Sequence, residues 1–397
     1  MSEKRRDNKN RILRSGESQR KDGRYAYKYT DTFGKVQFVY AWKLVPTDKT
    51  PAGKRDDISL REKEKEIQKD LDDGIDTIGK KMTVCQLYAK QIRHRGNVRY
   101  NTKNGRKRLM KLLEEDKLGG CPIDSVKLSD AKEWAIRMKE KGISYKTISN
   151  DKRSLKAAFC TAIQDDCIRK NPFDFQLNTV IEDDTEPKVP LTPAQEESFL
   201  SFAQNDKVYQ KYYDELIILL GTGLRISELC GLTDTDIDFE NRIINVDHQL
   251  LRSAETGYYI ETPKTKSGIR QIPMSEKVYE AFNRVLKRRR GAKAVTIDGY
   301  SNFLFLNRDG YPKTATNYDD MFRGLAKKYN KYHEEALPKV MTPHTLRHTF
   351  CTNMANAGMN PKALQYIMGH SNITMTLNYY AHATFDSAKA EMLRIAA

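Results

Sequence analysis

A charged, proline-ended stretch, Glu182-Asp183-Asp184-Thr185-Glu186-Pro187-Lys188, does most to limit what this chain can fold into. It interrupts the apolar patterning on both sides and predicts a domain boundary near residue 185. A single hydrophobic core rarely grows past roughly 250 to 300 residues, so a chain of 397 residues divided in this way is read as two or three domains. Charge is divided unevenly as well. Residues 1–80 carry a net +5, residues 81–180 a net +11 and residues 181–397 none, adding up to the formal +16. An even basic excess would do no more than keep a surface solvated, but concentration in one segment suits a protein that holds nucleic-acid phosphates and releases their counterions.

The first segment predicts a small sheet with one helix. Tyr25, Tyr27 and Tyr29 alternate with other residues, as do Val36, Phe38, Tyr40, Trp42 and Leu44 after Phe33-Gly34-Lys35, so a β-hairpin is expected. The stretch Ser59 to Asp72 has a capping serine, Glu62 three positions on, and Leu60, Ile67 and Leu71 along one side of a helix. Its Arg, Lys and Tyr content fits a sheet laid in the DNA major groove. Around Asp76 to Met82, Gly79 and the preceding Gly74 predict a linker. Helices are then expected over Thr83–Arg93, Asn101–Glu115, Ser129–Lys141 and Ser144–Asp165, with Asn171-Pro172-Phe173 stopping the last. Past the boundary, Thr192-Pro193 starts a helix in a mixed domain with short strands at Ile243–Val246, Tyr258–Glu261 and Ile269–Ile272, and helices return from Ser275.

Six cysteines without CxxC pairs, mostly in apolar patterns, point to a reducing cytoplasm. The sequence has no apolar run long enough to span a membrane, and Met1 to Arg20 has no apolar stretch for export.

The candidate chemistry lies in the last segment, in the order Thr222-Gly223-Leu224-Arg225-Ile226-Ser227-Glu228-Leu229, Pro263-Lys264-Thr265-Lys266-Ser267-Gly268, His344-Thr345-Leu346-Arg347-His348, Met368-Gly369-His370, and Tyr379. Arg225 sits on an apolar segment read as helical, with Glu228 placed to orient it. Guanidinium groups such as Arg225 and Arg347 can clamp the non-bridging oxygens of a phosphodiester under attack. A tyrosine, with a resting pKa near 10, needs a base before it can act as a nucleophile. His344 and His348 have the spacing of paired zinc ligands, but no Glu follows the first and Arg347 would set a cation beside the ion, so no metal is expected.

Five elements in this order resemble the tyrosine recombinases, and the three-part arrangement is similar to conjugative-transposon integrases with an N-terminal arm-binding domain. The resemblance implies a multidomain fold: a small N-terminal β-sheet plus helix module over 1–80 for arm sites, an all-α core-site domain over 82–180, and a mixed, mainly-α (α+β) catalytic domain over 185–397. It implies a site-specific integrase that cuts and rejoins double-stranded DNA through a 3′-phosphotyrosine, without metal, cofactor or ATP. Arg225 and Arg347 would clamp the phosphate, His344 act as base, Lys264 protonate the leaving 5′ oxygen from a β-hairpin, His370 bond a non-bridging oxygen, and Tyr379 attack. Lys266 in the same turn stays open as an alternative to Lys264, and Tyr380 as an alternative to Tyr379. His348 is expected to be a core or supporting residue. A tetramer on DNA is implied, with excisionase and host DNA-bending proteins as further partners, and the segment Phe385–Ala397 as a candidate for packing on a neighbour. A type IB topoisomerase-like nicking-closing enzyme and a catalytically silent DNA-binding regulator are the competing readings.

Overall fold

The computed structural model describes residues 5–31, 34–75, 79–96, 98–186, 189–263, 265–289, 295–380 and 392–393. Contacts divide the chain into two compact units, Met1–Glu186 and Pro187–Ala397. Residues 182–186 are exposed and belong to no helix or strand.

The first unit opens with an antiparallel sheet of β1 (Glu17–Gln19), β2 (Tyr25–Thr30) and β3 (Val36–Ala41), in that order. The expected hairpin is β2 and β3, registered with Tyr27 opposite Val39. β1 is an added strand too short to show alternation. β3 ends at Ala41, before Trp42 and Leu44, and Leu44 turns in to join Tyr25, Ala41 and Leu60 in a small core. The other face of β3 leaves Phe38 and Tyr40 exposed, with Arg20 and Arg24 over the Tyr40 ring and Arg24 and Lys54 over Trp42.

Helix α1 (Leu60–Asp72) is capped as the sequence predicts: the Glu62 carboxylate accepts from the Ser59 N–H at 2.9 Å and its hydroxyl at 2.7 Å. Its buried face differs from expectation. Leu60 is buried, but the other buried positions are Glu64 and Asp70, while Ile67 and Leu71 are only half-buried. Arg61 and Asp70 explain part of this: Arg61 reaches Glu17, buried beside Glu64, and Asp70 takes Lys80 and Arg169. Where a linker was expected, a 3-10 turn spans Gly79–Lys81, and residues 76–78 lie outside the described residues.

Helices α2 (Val84–His94), α3 (Tyr100–Glu114), α4 (Leu128–Glu140) and α5 (Tyr145–Gln164) follow within a residue or so of their expected bounds. They enclose a core in which Trp134 meets Phe173 edge-on at 5.7 Å. Helix α5 stops earlier than Asn171-Pro172-Phe173, at Asp165 and the left-handed Asp166. The Asn-Pro-Phe run instead turns the chain back: Asn171 Nδ2 donates to the Lys156 carbonyl, its Oδ1 accepts from the Phe173 N–H, and Phe173 closes the core.

In the second unit Thr192 caps α6 (Pro193–Asn205), with Pro193 at the first helical position. Next come α7 (Tyr213–Thr222) and α8 (Ile226–Gly231). The strands are β4 (Ile237–Asp238), β5 (Ile243–Val246), β6 (Gln249–Ser253), β7 (Gly257–Glu261) and β8 (Arg270–Pro273). They form an antiparallel sheet ordered β4-β5-β8 and a separate hairpin of β6 and β7. β4 and β6 are additions to the three expected strands. Two residues carry no periodicity, and Gln249-Leu250-Leu251-Arg252-Ser253 alternates poorly. Helices α9 (Glu276–Arg289), α10 (Ala315–Tyr332), α11 (Pro343–Asn356), α12 (Pro361–Met368) and α13 (Thr374–Leu377) complete the unit. Its main core runs through Phe199, Leu219, Phe282, Phe322 and Leu346. A smaller cluster, Phe350, Cys351, Ala355, Leu364 and Met368, lies where α11 meets α12. No helix among the described residues is long and apolar enough to cross a membrane.

Candidate active site

Arg225 is not within a helix, as the sequence suggested, but at the N-cap of α8, where the backbone is extended (φ −72°, ψ 146°). Apolar α7 ends at Gly223 in the left-handed region (φ 63°), which lets the chain turn sharply, bury Leu224 and present Arg225. Glu228 holds it from three residues on: its carboxylate accepts from the Arg225 N–H at 2.9 Å and from the guanidinium at 2.6 Å. The Arg225 side chain is 36% exposed against 3% for Glu228, so the arginine keeps an open face while its partner is sealed.

Arg347 sits one turn into α11, a helix started by Thr342 and Pro343. Exposed His344 precedes it by three residues, but Arg347 itself is buried and donates to the carbonyls of Gly223 and Met368. Helix α12 ends at Gly369, also left-handed (φ 62°), and the Gly369 carbonyl accepts from Arg225 at 3.0 Å. A third guanidinium, Arg270, donates to the Ile367 carbonyl at 2.6 Å. The last carbonyls of a helix lack intrahelical partners and carry the negative end of its dipole, which favours cations there. Three arginines from three elements therefore converge on the end of α12.

His370 follows directly and is buried, with Nδ1 3.0 Å from the Thr376 hydroxyl. Burial, then the positive charges of Arg347, Arg225 and Arg270, push its pKa down to about 4, so the ring is neutral at pH 7. Burial pushes Arg347 down to about 9, helped by Arg225 and opposed by Glu228; it still carries its charge at pH 7. Burial alone would raise the Glu228 carboxyl, but hydrogen bonding and charge from Arg270, followed by Arg225 and Arg347, hold it at about 2.

Two neighbouring tyrosines separate into different environments. Tyr380 donates its hydroxyl to the Met359 carbonyl. Tyr379 rests half-buried on the α11–α12 cluster, its ring 4.7 Å from that of His348. Burial raises its pKa, Cys351 adds to this, and Arg347 acts to lower it. The His348 ring, one turn beyond His344, thus packs against that of Tyr379.

Lys264 lies outside the described residues. The pairing on either side differs from the expected hairpin: β7 ends at Glu261 and pairs with β6, while β8 pairs with β5 in the other sheet. Lys266 is exposed on a 3-10 turn, Lys266–Gly268. Arg270 was missed by the sequence reading. Its one signal is alternation, since β8 buries Arg270 and Ile272 and exposes Gln271 and Pro273. The segment Phe385–Ala397, apart from exposed Met392 and Leu393, lies outside the described residues.

Among the described residues, Asp236, Asp247 and His248 are the one group whose ligand atoms could hold a metal ion. His248 already uses both ring nitrogens, Nδ1 at 2.6 Å from Asp247 and Nε2 at 2.8 Å from the Gly231 carbonyl, so the cluster serves as a brace behind α8.

Converging guanidinium groups with a tyrosine nearby can bind a phosphodiester and attack its phosphorus. Comparison with known proteins agrees. The phage integrase family model matches residues 190–387, and a model for the DNA binding domain of Tn916 integrase matches residues 1–71. The transposase from transposon Tn916 of Enterococcus faecalis is 70% identical over 395 residues, covering 100% of this chain and 97% of the relative. The chain belongs to the phage integrase family. Within that family, two solved structures of the Tn1549 transposon integrase, residues 82–397, are each 78% identical to it. One carries R225K and is in complex with a circular intermediate DNA, with TM-score 0.76 over 79% of this chain and 99% of that one. The other carries Y379F and is in complex with transposon right end DNA, with TM-score 0.75 over 80% and 100%. As a phage integrase family member, the chain is a tyrosine-type site-specific recombinase with the mixed, multidomain fold expected for one.

Proposed function

We propose that this recombinase integrates and excises a mobile element, cutting and rejoining double-stranded DNA through a 3′-phosphotyrosine formed by Tyr379. The observation that carries the reading is the meeting of Arg225, Arg347 and His370 at the end of α12, with Tyr379 within electrostatic reach of Arg347. Arg225 and Arg347 clamp the non-bridging oxygens, and neutral His370 donates a hydrogen bond to one of them. His344 accepts the phenolic proton as the Tyr379 oxygen bonds to phosphorus. The bond from phosphorus to the 5′ oxygen breaks, and Lys264 supplies that oxygen with its proton. The phosphotyrosine conserves the energy of the broken bond, so a 5′ hydroxyl from another strand can reverse the step.

The engagement of the Tyr380 hydroxyl by Met359 supports Tyr379 over Tyr380. The substitutions in the two Tn1549 integrase structures carry the numbers of Arg225 and Tyr379, which supports both assignments. Residues 1–80 bind arm sites, as the exposed aromatic and basic face of β3 suits; residues 82–180 grip the core site; residues 185–397 cut and join. Assembly is a tetramer on DNA, in the cytoplasm, with excisionase and DNA-bending proteins as partners.

The test is a nicked suicide duplex carrying the element's end, incubated without metal or nucleotide and resolved on a denaturing gel. Wild type and Tyr380→Phe form a covalent protein–DNA band, and Tyr379→Phe does not. A band lost only in Tyr380→Phe moves the nucleophile by one residue. No band from wild type on any cognate end overturns the reading in favour of a DNA-binding regulator.

A further inference from the structure

The geometry points to Arg270 as a positioning residue for strand cleavage, one that sets Arg225 and His370 in register without itself touching the DNA. This rests on the roles proposed above for Arg225, His370 and Tyr379. The Arg270 side chain is wholly buried, and all its hydrogen bonds run to parts that hold the site. Two of its nitrogens grip Glu228, at 3.1 and 2.8 Å, and those same two carboxylate oxygens hold the Arg225 guanidinium and backbone N–H. Its Nε donates to the Ile367 carbonyl, two residues before the Gly369 carbonyl that holds the other arm of Arg225 and three before His370. Its third contact is the Gly268 carbonyl at 3.1 Å, at the end of the 3-10 turn that begins at Lys266.

A planar guanidinium fork fixes the carboxylate in two dimensions, which an ammonium cannot do. Charge gives a second reason. Alone with Arg225, Glu228 would cancel it. Shared between Arg225 and Arg270, it leaves the three guanidiniums, Arg225, Arg270 and Arg347, against one carboxylate, a net of two positive charges. That surplus acts most strongly where negative charge builds up on phosphorus oxygens in the transition state, less in the ground state. Loss of Arg270 therefore slows cleavage more than it weakens DNA binding.

The experiment compares full-length wild type, Arg270→Gln and Tyr379→Phe for core-duplex affinity, thermal unfolding and single-turnover covalent adduct formation. The substrate carries either the normal phosphodiester or a methylphosphonate at the cleavage position, in which a methyl group replaces one non-bridging oxygen and removes the charge. Arg270→Gln, which loses both the fork and the charge, is expected to bind within about twofold of wild type, form adduct about 100-fold more slowly on the phosphodiester, and lose most of that deficit on the methylphosphonate. A wild-type rate, or the same deficit on both substrates, overturns the proposal. Should Arg270→Gln not fold, Arg270→Lys keeps the charge and loses only the fork: a deficit of about tenfold on both substrates supports positioning through Glu228, and a wild-type rate overturns it. Failure of wild type to form any adduct overturns the proposed function and this inference together. An active wild type with an unaffected Arg270→Gln overturns only the latter.

Discussion

At the scale of single residues, one glycine and one histidine show how the site is kept in shape. A β-carbon at Gly223 would lie 2.4 Å from Phe350 Cδ1 and 2.9 Å from Met368 Sδ, in a left-handed conformation that side chains avoid. Gly223→Ala should destabilise the catalytic unit by about 2 kcal/mol or more and move the carbonyl that anchors Arg347, so both the thermal midpoint and the cleavage rate should fall. His370 sets a pH dependence. Its folded pKa of about 4 lies below the ordinary 6.5, so the unfolded chain binds the proton more readily. The stability it contributes is complete above pH 6.5 and is lost as pH falls through 6.5 toward 4. Denaturant melts should show wild type losing more stability than His370→Gln over that window, and equal losses would count against a neutral buried ring. The sequence pointed to His370, Arg347 and Arg225 as candidates through the order and spacing of the short motifs in which they stand. Arg270 stands in none, and became visible only when its guanidinium was seen against Glu228.

Whole elements were legible where their signals are local. Ser59 and Thr192, read as caps, marked two helix starts, and apolar spacing placed two more within a residue of theirs, with Thr83 and Ser144 proving to be the caps. The inner face of α1 was not legible, because Glu64 is buried by partners far away in the sequence. Burial and the adjacent Glu17 raise the Glu64 pKa to about 7, with Arg14 and Arg61 opposing. Its folded pKa lies above the ordinary 4.5, so its stabilising contribution is complete below pH 4.5 and is lost as pH rises through about 7. A Glu64→Gln variant should therefore melt above wild type at pH 8, with the advantage fading by pH 5. An advantage that did not change with pH would assign the effect to packing alone. That β7 and β8 pair in different sheets was missed for a similar reason. Strands on both sides of a short turn read as a hairpin, and pairing partners are not encoded in the turn.

Over the whole molecule, the charge division has the most direct consequence. A surplus of +11 over residues 81–180 predicts steep salt dependence of duplex binding. Helix α3 presents Lys103 and Lys107 on exposed positions, and replacing each with Gln should lower the slope of log K against log salt by about 1 without changing sequence preference. A slope unchanged in both variants would place the phosphate contacts on another face. The sequence by itself determined the chain's family, the boundary near residue 185 and most of its helices, because these depend on short-range periodicity and on motifs read along the chain. The tertiary structure alone decided that Arg225 caps a helix, that Tyr380 is tied to Met359 while Tyr379 lies beside His348, and that Arg270 joins Glu228 to the end of α12. Apart from the cap, which Glu228 holds from three residues on, these contacts join residues separated by 21 to 144 positions that meet only through burial and hydrogen bonding, and no local pattern carries that information.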